Sequence, residues 1–351
     1  MLPKRIPFYF KAHNTKGNGG FSVTLPFDVY FDDELQMYRQ RTTEQLKEIL
    51  HKVYEQGSLI EGSVSNESGK IYLKKIMDFV NNVTDIGEKS ILELGCGDGS
   101  MLIEFKKAGA KVIGLEPGNH LISPLISDIE IINDFFPSEK IKDCFDIIFH
   151  YGVLEHIEDP VEFLKEQVNY LTKGGKIIVC VPNCMPYLQT GDISLFIHEH
   201  YNYFTKQSLC NTLELAGLEL EKIDIIEGMI AACVTIKADT RAIEKKEIDA
   251  ELFQSSCNLF QAKLTALFNK YPENKIAVYV PLRALNILYV IDRPNLRLVD
   301  DSGQIAGKYL PFLNEPVESF EQMLTDPPDC LIIFSRTFGD RIKERCIKKV
   351  N

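Results

Sequence analysis

The segment Glu93–Gly99, with the sequence ELGCGDG, constrains the fold of this 351-residue chain more than any other feature. The apolar stretch 90–94 predicts a short buried strand before it, and the residues after it up to Lys107 predict a helix. Glycines at a strand-to-helix turn allow tight bending and let a ligand approach the backbone without a Cβ in the way. Free N–H groups at the helix N-terminus suit an anion. The turn therefore predicts an α/β domain with a ligand site.

Predicted strands and helices alternate along the rest of the chain. After 90–94, strands are predicted at 111–115, 129–132, 145–149, 176–181 and 231–236. This alternation favours βαβ units and a mainly parallel sheet. A second set of predicted strands, at 275–280, 296–299 and 330–334, indicates a smaller C-terminal α/β domain. The predicted domains are an N-terminal helical extension over 1–85, an α/β domain over 86–240, and a helical connector with the smaller domain over 241–351.

The N-terminal extension has weaker patterns. Apolar residues at roughly helical spacing predict a helix over 32–56, and a second helix is predicted over 70–81. Glycine- and serine-rich segments at 14–20 and 61–69 predict loops. The extension could serve self-association or cover the ligand site, and the sequence leaves both open, together with a monomeric or homodimeric state.

Composition excludes several classes of partner. Lys and Arg total 39 against 50 Asp and Glu, so the net charge of −11 argues against nucleic acid or an anionic membrane. No apolar run reaches the length of a membrane span, and the first ten residues lack a secretory pattern. The nine cysteines are scattered, and the near-pair Cys180 and Cys184 has no second pair beside it. We therefore expect reduced thiols, a cytoplasmic location and no metal site.

Acidic residues follow the next two predicted strands in order. Glu116 lies at the end of the strand 111–115, where a carboxylate can accept hydrogen bonds from both hydroxyls of a ribose. Asp134 follows the strand 129–132, where contacts to adenine are usual. A glycine turn followed by these two acids is a more specific signal of a nucleotide-like ligand than the turn alone.

The tight Gly-x-Gly-x-Gly spacing, with Glu116, resembles the class I S-adenosylmethionine-dependent methyltransferases over roughly 90–238. The resemblance implies a Rossmann-like fold, with the three glycines lining the methionine moiety and Glu116 holding the ribose. A nucleotide fold that binds NAD is the alternative, although NAD folds have the wider Gly-x-Gly-x-x-Gly spacing. The expected cofactor is S-adenosyl-L-methionine, with the product S-adenosyl-L-homocysteine. The residues expected to bind it are Glu93, Gly95, Cys96, Gly97, Asp98, Gly99, Glu116, Pro117, Asp134, Phe135 and Tyr151.

Two segments rich in histidine carry the candidate chemistry. His156 follows the strand 145–149, and ligands bind at the carboxyl ends of such strands, so it either faces the site or merely packs beside it. His198, Glu199 and His200 form the second group, and an imidazole near pH 7 suits proton abstraction. If this stretch is extended, His198 and His200 share one face and Glu199 points away. A metal held by the two histidines would lack a third ligand, and a purely structural loop is also open.

The stretch 198–205 resembles the matching segment of the nucleotide-sugar C-methyltransferases, through His198, Glu199, His200, Tyr203, Phe204 and Thr205. The C-terminal stretches 299–301, 307–311 and 327–333, with Phe338, resemble that family as well. The resemblance implies methylation of a deoxy-ketosugar on a nucleoside diphosphate. His200 is the expected base that removes a proton α to a carbonyl, and the expected orienting or proton-shuttling partners are His198, Glu199 and His156. Tyr203, Arg283 and Lys308 are the expected acceptor-binding residues.

The chain departs from that family at three places. Residues 1–60 contain no cysteine, where the family has a zinc module. Ile197 replaces a tyrosine, and the loop 280–286 has no glycine. The loss of the tyrosine favours an O- or N-methyltransferase of a sugar or phosphorylated small molecule as the alternative. A cofactor-binding scaffold without catalysis is the second alternative.

Overall fold

The computed structural model describes residues 3–9, 11–18, 20–55, 67–118, 128–237, 250–336 and 339–350. The chain forms two compact units, each assembled from separate segments. The first unit comprises Met1–Val29, Cys184–His198 and Asp249–Asn351, and the second unit comprises Tyr30–Asn183 and Glu199–Ile248. The predicted domain limits after residues 85 and 240 stay predictions.

The secondary structure within the described residues alternates between strands and helices. The strands are β1 (Arg5–Pro7), β2 (Thr24–Pro26), β3 (Asp28–Asp32), β4 (Met37–Arg41), β5 (Ser90–Leu94), β6 (Lys111–Leu115), β7 (Glu130–Ile132), β8 (Phe145–Tyr151), β9 (Leu171–Pro182), β10 (Asn202–Tyr203), β11 (Leu218–Ile226), β12 (Met229–Ile236), β13 (Ile276–Tyr279), β14 (Arg297–Val299), β15 (Val317–Glu318) and β16 (Cys330–Ile333). The α-helices are α1 (Glu44–Glu55), α2 (Glu67–Val83), α3 (Ser100–Lys107), α4 (Pro160–Val168), α5 (Met185–Thr190), α6 (Lys206–Leu215), α7 (Ala250–Lys270), α8 (Pro281–Val290), α9 (Phe320–Thr325) and α10 (Gly339–Val350).

A seven-stranded sheet with the order β11-β12-β9-β8-β5-β6-β7 is the centre of the second unit. The strands from β9 to β7 pair in parallel, while β12 and β11 add an antiparallel edge. Alternate residues of β5 enter different clusters: Ile91 packs with α2 and α3 on one face, and Leu92 and Leu94 enter the cluster on the other. The mainly parallel α/β fold predicted from the sequence is therefore confirmed, as are the predicted strands from 90 onward and the helix predicted over 70–81.

The helix predicted over 32–56 is wrong in its first half. Residues 28–41 form the β3–β4 hairpin, and β4 also pairs with β10 in a three-stranded sheet. The carboxylate of Asp32 accepts hydrogen bonds from the N–H groups of Glu34 and Leu35, and Gln36 takes a left-handed φ of 54°. Both features close a four-residue turn that a helix does not contain. The helix α1 begins only at Glu44.

The first unit has a four-stranded parallel sheet with the order β15-β14-β13-β16, and a separate pair formed by β1 and β2. An apolar cluster that includes Val278, Leu288 and Leu298 packs β13 and β14 against α8. The predicted second α/β set is thus present. Of the helical connector predicted at the start of 241–351, the part Ala250–Lys270 is helical, and residues 241–249 lie outside the described residues. No helix in the described part of the chain is long and apolar enough to cross a membrane.

A buried histidine in the central strand makes stability depend on pH. His150 of β8 is fully buried beside Gln167, and burial lowers its pKa from 6.5 to about 3. Below pH 6.5 the unfolded chain binds a proton that the folded chain does not, so stability is lost as the pH falls toward 3. We predict that the wild type loses about 2 kcal/mol more free energy of unfolding between pH 7 and pH 5 than His150→Gln does, because the glutamine side chain does not titrate.

Urea denaturation at the two pH values measures this difference. His51→Gln, at an exposed histidine, is the control and should follow the wild type. Equal losses in the wild type and His150→Gln would contradict the assignment.

Candidate active site

The glycine turn between β5 and α3 is held against the neighbouring strands. Gly95, Gly97 and Gly99 all have left-handed φ angles, of 66°, 53° and 78°. The N–H of Gly95 donates to the carbonyl of Leu115 at the end of β6, at 2.8 Å. A Cβ at Gly95 would lie 2.6 Å from Cγ2 of Val153, so only glycine fits there. A Cβ at Gly97 would meet no atom of the described residues within 4 Å.

Glu116 connects the end of β6 to this turn. It is buried, and its carboxylate accepts hydrogen bonds from the N–H groups of Gly97 and Gly118, each at 2.9 Å. Glu93, in β5, is 4% exposed, and its Oε2 has no hydrogen-bond partner. Burial, together with the nearby carboxylates Asp98 and Glu116, raises the pKa of Glu93 well above its usual value. A buried carboxylate in such surroundings is stabilised by a cation.

The other residues predicted to bind the cofactor have local roles in the structure. Asp98 accepts a hydrogen bond from the N–H of Ser100 at the start of α3. The thiol of Cys96 is buried, and burial raises its pKa, so it packs rather than reacts. Two of the others form hydrogen bonds: Asp134 accepts from the hydroxyl of Ser138, and the carbonyl of Pro117 accepts from the amide of Asn133. The last two make ring contacts, the half-exposed Phe135 with His51 and Tyr151 with Tyr72. Whether each contacts the cofactor stays a prediction.

Glu155, His156 and His200 form a cluster beyond β8. One potential ligand atom of each lies within 4.8 Å of those of the other two, and the two imidazole ring centroids are 4.7 Å apart. Glu155 and His156 belong to the same short 3₁₀ helix, Leu154–His156, which is one turn long. His200 precedes β10. The structure therefore brings together His156 and His200, as the sequence predicted, with a carboxylate that the prediction did not include.

The orientation of His156 is fixed through Nδ1. This nitrogen lies 3.0 Å from the backbone carbonyl of Glu199 and 2.9 Å from the hydroxyl of Tyr54 in α1. A carbonyl only accepts hydrogen bonds, so the network assigns the ring proton to Nδ1 and leaves a lone pair on Nε2. Burial lowers the pKa of His156 to about 4 and keeps the ring neutral near pH 7. Tyr54 was not singled out from the sequence, because its partner lies 102 residues away.

Glu155 is the other residue that the sequence did not single out. It is 3% exposed, and its Oε2 has no hydrogen-bond partner among the described residues. Burial, with a smaller contribution from the charge of Glu199, raises its pKa to about 8. Its position directly before His156 in the sequence could have indicated Glu155. The sequence pattern instead pointed to Glu199 as the carboxylate partner of the histidines. Glu199 instead contributes its backbone carbonyl to His156.

His198 and His200 do not share a face. Residues 198–199 form a turn, so the condition of an extended strand is not met. The ring of His198 packs edge-on against Phe8 and Phe27, with centroids 5.5 and 5.4 Å away. Burial lowers its pKa to about 4. His198 therefore lies in an aromatic part of the first unit, and its expected catalytic role stays a prediction.

The predicted acceptor residues lie in both units. Tyr203 is buried in β10 of the second unit, with its ring centroid 6.2 Å from that of His200. Arg283 is exposed in the first turn of α8, and Lys308 is half-buried in the loop after β14, both in the first unit. The binding roles of all three stay predictions.

Asn202 holds the two segments of the cluster together. Its side-chain amide donates to the carbonyls of Ile157 at 2.6 Å and Leu154 at 3.2 Å, on either side of Glu155 and His156. Its Oδ1 accepts from the guanidinium of Arg39 at 3.0 Å, and Arg39 is paired with Asp32. The contacts of Asn202 and Arg39 therefore connect the β3–β4 hairpin, β10 and the 3₁₀ turn.

Comparison with known proteins identifies the fold of this region. Residues 69–223 match the model of a family described as a methyltransferase domain. These residues form a class I S-adenosylmethionine-dependent methyltransferase domain. The C-methyltransferase NovU of Streptomyces niveus is 26% identical over 168 residues, which cover 45% of this chain and 40% of the relative.

Other relatives carry different names. A tRNA U34 carboxymethyltransferase of Colwellia psychrerythraea is 31% identical over 28% of this chain and 33% of its own length. A ubiquinone biosynthesis O-methyltransferase of Nitrosococcus oceani is 28% identical over 31% of this chain and 50% of its own length. This chain therefore matches half or less of the length of each of these relatives.

The residues of the turn fit S-adenosylmethionine, the cofactor of this domain. The backbone at Gly97, where an added Cβ would meet none of the described residues within 4 Å, would hold the amino-acid end of the cofactor, and the buried Oε2 of Glu93 would suit its ammonium group. Glu116, next to the turn, would hold the ribose hydroxyls. Glu93 and Glu116 would thus supply one carboxylate for the cation and one for the diol of the cofactor.

We predict that Gly95→Ala weakens binding of S-adenosylhomocysteine about tenfold or more, because the added methyl displaces Val153 and opens the turn. Gly174→Ala is the matched control: Gly174 also has a left-handed φ, of 79°, but a Cβ there meets no atom within 4 Å. Calorimetric titration of both folded variants measures the effect. Equal affinities for the two would show that the contact with Val153 does not shape the site.

Proposed function

We propose that this protein transfers the methyl group of S-adenosylmethionine to a carbon atom of a small polar acceptor, a sugar linked to a nucleotide. The observation that carries the proposal is the cluster of Glu155, His156 and His200 in the same unit as the cofactor turn. A methyltransferase that acts on carbon needs a base, because the carbon becomes a nucleophile only after it loses a proton.

The position of the cluster relative to the turn follows from the sheet. The strands β5 and β8 are parallel neighbours, with Leu94 paired to His150, so both end at the same edge of the sheet. The turn after β5 contains Gly95, and the turn after β8 contains Val153, which lies directly beneath that glycine. The cluster begins two residues later, and ligands of open α/β sheets bind at this edge.

The chemistry assigned to each group follows from its surroundings. His200 accepts the proton from the carbon α to the acceptor carbonyl, and the carboxylate of Glu155 stabilises the imidazolium that forms. His156, fixed by Tyr54 and the carbonyl of Glu199, orients the site and presents its Nε2 lone pair. The bound cofactor supplies an electrophilic methyl group on a sulfonium. Holding the carbon in line with that methyl group lowers the barrier through proximity.

The nature of the acceptor is supported by the resemblance of 198–205 to nucleotide-sugar C-methyltransferases, and the name of the Streptomyces niveus relative, a C-methyltransferase, is in line with transfer to carbon. Within the second unit, Tyr203 would contact the sugar. Arg283 and Lys308 of the first unit remain candidate phosphate-binding residues, because their positive charges suit phosphate oxygens. We expect no nucleic acid acceptor, since the net charge is −11. A cytoplasmic location and a monomeric or homodimeric state belong to the same proposal.

Ile197 supports a second candidate, methyl transfer to oxygen or nitrogen. Such a reaction needs a base only for a hydroxyl or amine, so the tyrosine that Ile197 replaces is dispensable. The name of the Nitrosococcus oceani relative is in line with this chemistry.

A single experiment tests the proposal. The protein is incubated with ¹³C-methyl-labelled S-adenosylmethionine and a panel of nucleoside-diphosphate ketosugars, and NMR locates the label. A C–CH₃ group supports the proposal, an O–CH₃ or N–CH₃ group supports the second candidate, and cofactor binding without turnover on any sugar supports a scaffold without catalysis.

We predict that His200→Asn lowers kcat on the accepted ketosugar by about 10²-fold or more, because it removes the base. Affinity for S-adenosylhomocysteine should stay within about twofold of the wild type, since His200 is not part of the turn. The variant should also lose exchange of the substrate α-proton with deuterated solvent, while His51→Asn, at an exposed histidine, retains it. Rapid exchange in His200→Asn would reject His200 as the base.

A further inference from the structure

We propose that Glu155, His156 and His200 form a binding site for one divalent transition-metal ion, of which Zn²⁺ is the best match. All three residues lie in the second unit. Their potential ligand atoms lie within 4.8 Å of one another. The sequence alone offered His198 and His200 without a third ligand, whereas the fold pairs His200 with His156 and adds a carboxylate.

The spacing of the three groups is close to the spacing of ligand atoms around a bound ion. Zinc bonds of about 2.0–2.2 Å place two ligand atoms of a tetrahedral site roughly 3.4 Å apart. Side-chain rotations that shorten the observed separations by about 1.5 Å at most are therefore sufficient to close the site. Two imidazoles and one carboxylate form a common protein ligand set for zinc, and a water molecule or another ligand completes the coordination.

His156 is already oriented as a ligand. Its Nδ1–H is directed at the backbone carbonyl of Glu199, at 3.0 Å, and the hydroxyl of Tyr54 lies 2.9 Å from the same nitrogen. Histidines that bind metals usually donate their second ring N–H to a carbonyl or carboxylate, which fixes the tautomer. The lone pair of His156 is thus on Nε2, the nitrogen that the network leaves for the ion.

Glu155 provides an independent indication of a cation. Its side chain is 3% exposed, and its Oε2 has no hydrogen-bond partner. The charge that acts on it comes from another carboxylate, that of Glu199. A buried carboxylate oxygen without a hydrogen bond is costly unless the group is neutralised or bound to a cation, and a divalent ion between Glu155 and the two imidazoles removes that cost.

The site is also held in place before an ion binds. Asn202 connects the turn that contains Glu155 and His156 to β10, which follows His200, and Arg39 fixes the amide of Asn202. An ion therefore meets ligands that are already close together, which limits the entropy lost on binding.

The ligand types distinguish among metals. Mg²⁺ and Ca²⁺ prefer oxygen ligands, whereas two imidazoles favour Zn²⁺, Co²⁺, Ni²⁺ or Cu²⁺. An ion at this site occupies the lone pair that His200 needs as a base, so bound zinc would inhibit the reaction of the proposed function. Metal binding is measured without any acceptor, so its failure and the failure of the proposed function are distinguishable.

The test is a titration of the chelator-treated full-length protein with Co²⁺ and then with Zn²⁺. We expect one Co²⁺ per chain, with visible d–d absorption typical of nitrogen and oxygen ligands, displaced by an equal amount of Zn²⁺. Glu155→Gln and His200→Asn should each weaken Zn²⁺ binding by about tenfold or more in calorimetry. His51→Asn and Cys144→Ser, at an exposed histidine and an exposed cysteine, are the controls and should bind as the wild type does.

Retained affinity for S-adenosylhomocysteine shows that a variant is folded, so a loss of metal binding in a folded variant supports the site. Three results would overturn the proposal. They are the absence of stoichiometric binding in the wild type, a Co²⁺ spectrum dominated by thiolate charge transfer, and unchanged Zn²⁺ affinity in both Glu155→Gln and His200→Asn.

Discussion

The close contact between the backbone of Gly95 and the side chain of Val153 is the constraint on which the site depends. It brings the turns after two neighbouring parallel strands, β5 and β8, into direct contact at one edge of the sheet. The first turn contains the glycines and faces Glu116, and the second leads within two residues to Glu155 and His156. The positions of the glycine turn and of the cluster of Glu155, His156 and His200 therefore depend on the register between β5 and β8.

Buried carboxylates give this edge its chemical character. Glu93, Glu116 and Glu155 are each less than a tenth exposed, and in Glu93 and Glu155 one oxygen has no hydrogen-bond partner. Structures do not usually retain such groups for stability, because burial of an unpaired charge is unfavourable. Their presence beside the glycine turn and two imidazoles is in line with the proposed ligands, which are an ammonium group at Glu93, ribose hydroxyls at Glu116, and a protonated imidazole or a metal ion at Glu155.

The sequence predicted the parts of the fold that depend on local patterns. Short apolar runs such as 90–94 and 176–181 became buried strands, because a parallel sheet covered on both faces needs continuous apolar residues. The β3–β4 hairpin was missed because its apolar spacing is also compatible with a helix. What decided against the helix was the Asp32 turn, together with pairing to β10 more than 160 residues away.

The site was predictable only in part, for a similar reason. The glycine turn and Glu116 form a short motif of fixed spacing, so sequence reasoning could find them. Tyr54 and Asn202 act through partners that are distant in the chain, and no periodicity reveals such contacts. For His198, the turn at 198–199 decides which neighbours its side chain has, and the sequence pattern did not show that turn.

Calorimetric titration of the wild-type protein with S-adenosylhomocysteine and with NAD⁺ measures which of the two ligands the glycine turn binds. We expect saturable binding of one S-adenosylhomocysteine per chain and no heat from the dinucleotide, because the Gly-x-Gly-x-Gly spacing of the turn is tighter than the spacing of NAD-binding folds. Binding of NAD⁺ without binding of S-adenosylhomocysteine would contradict it.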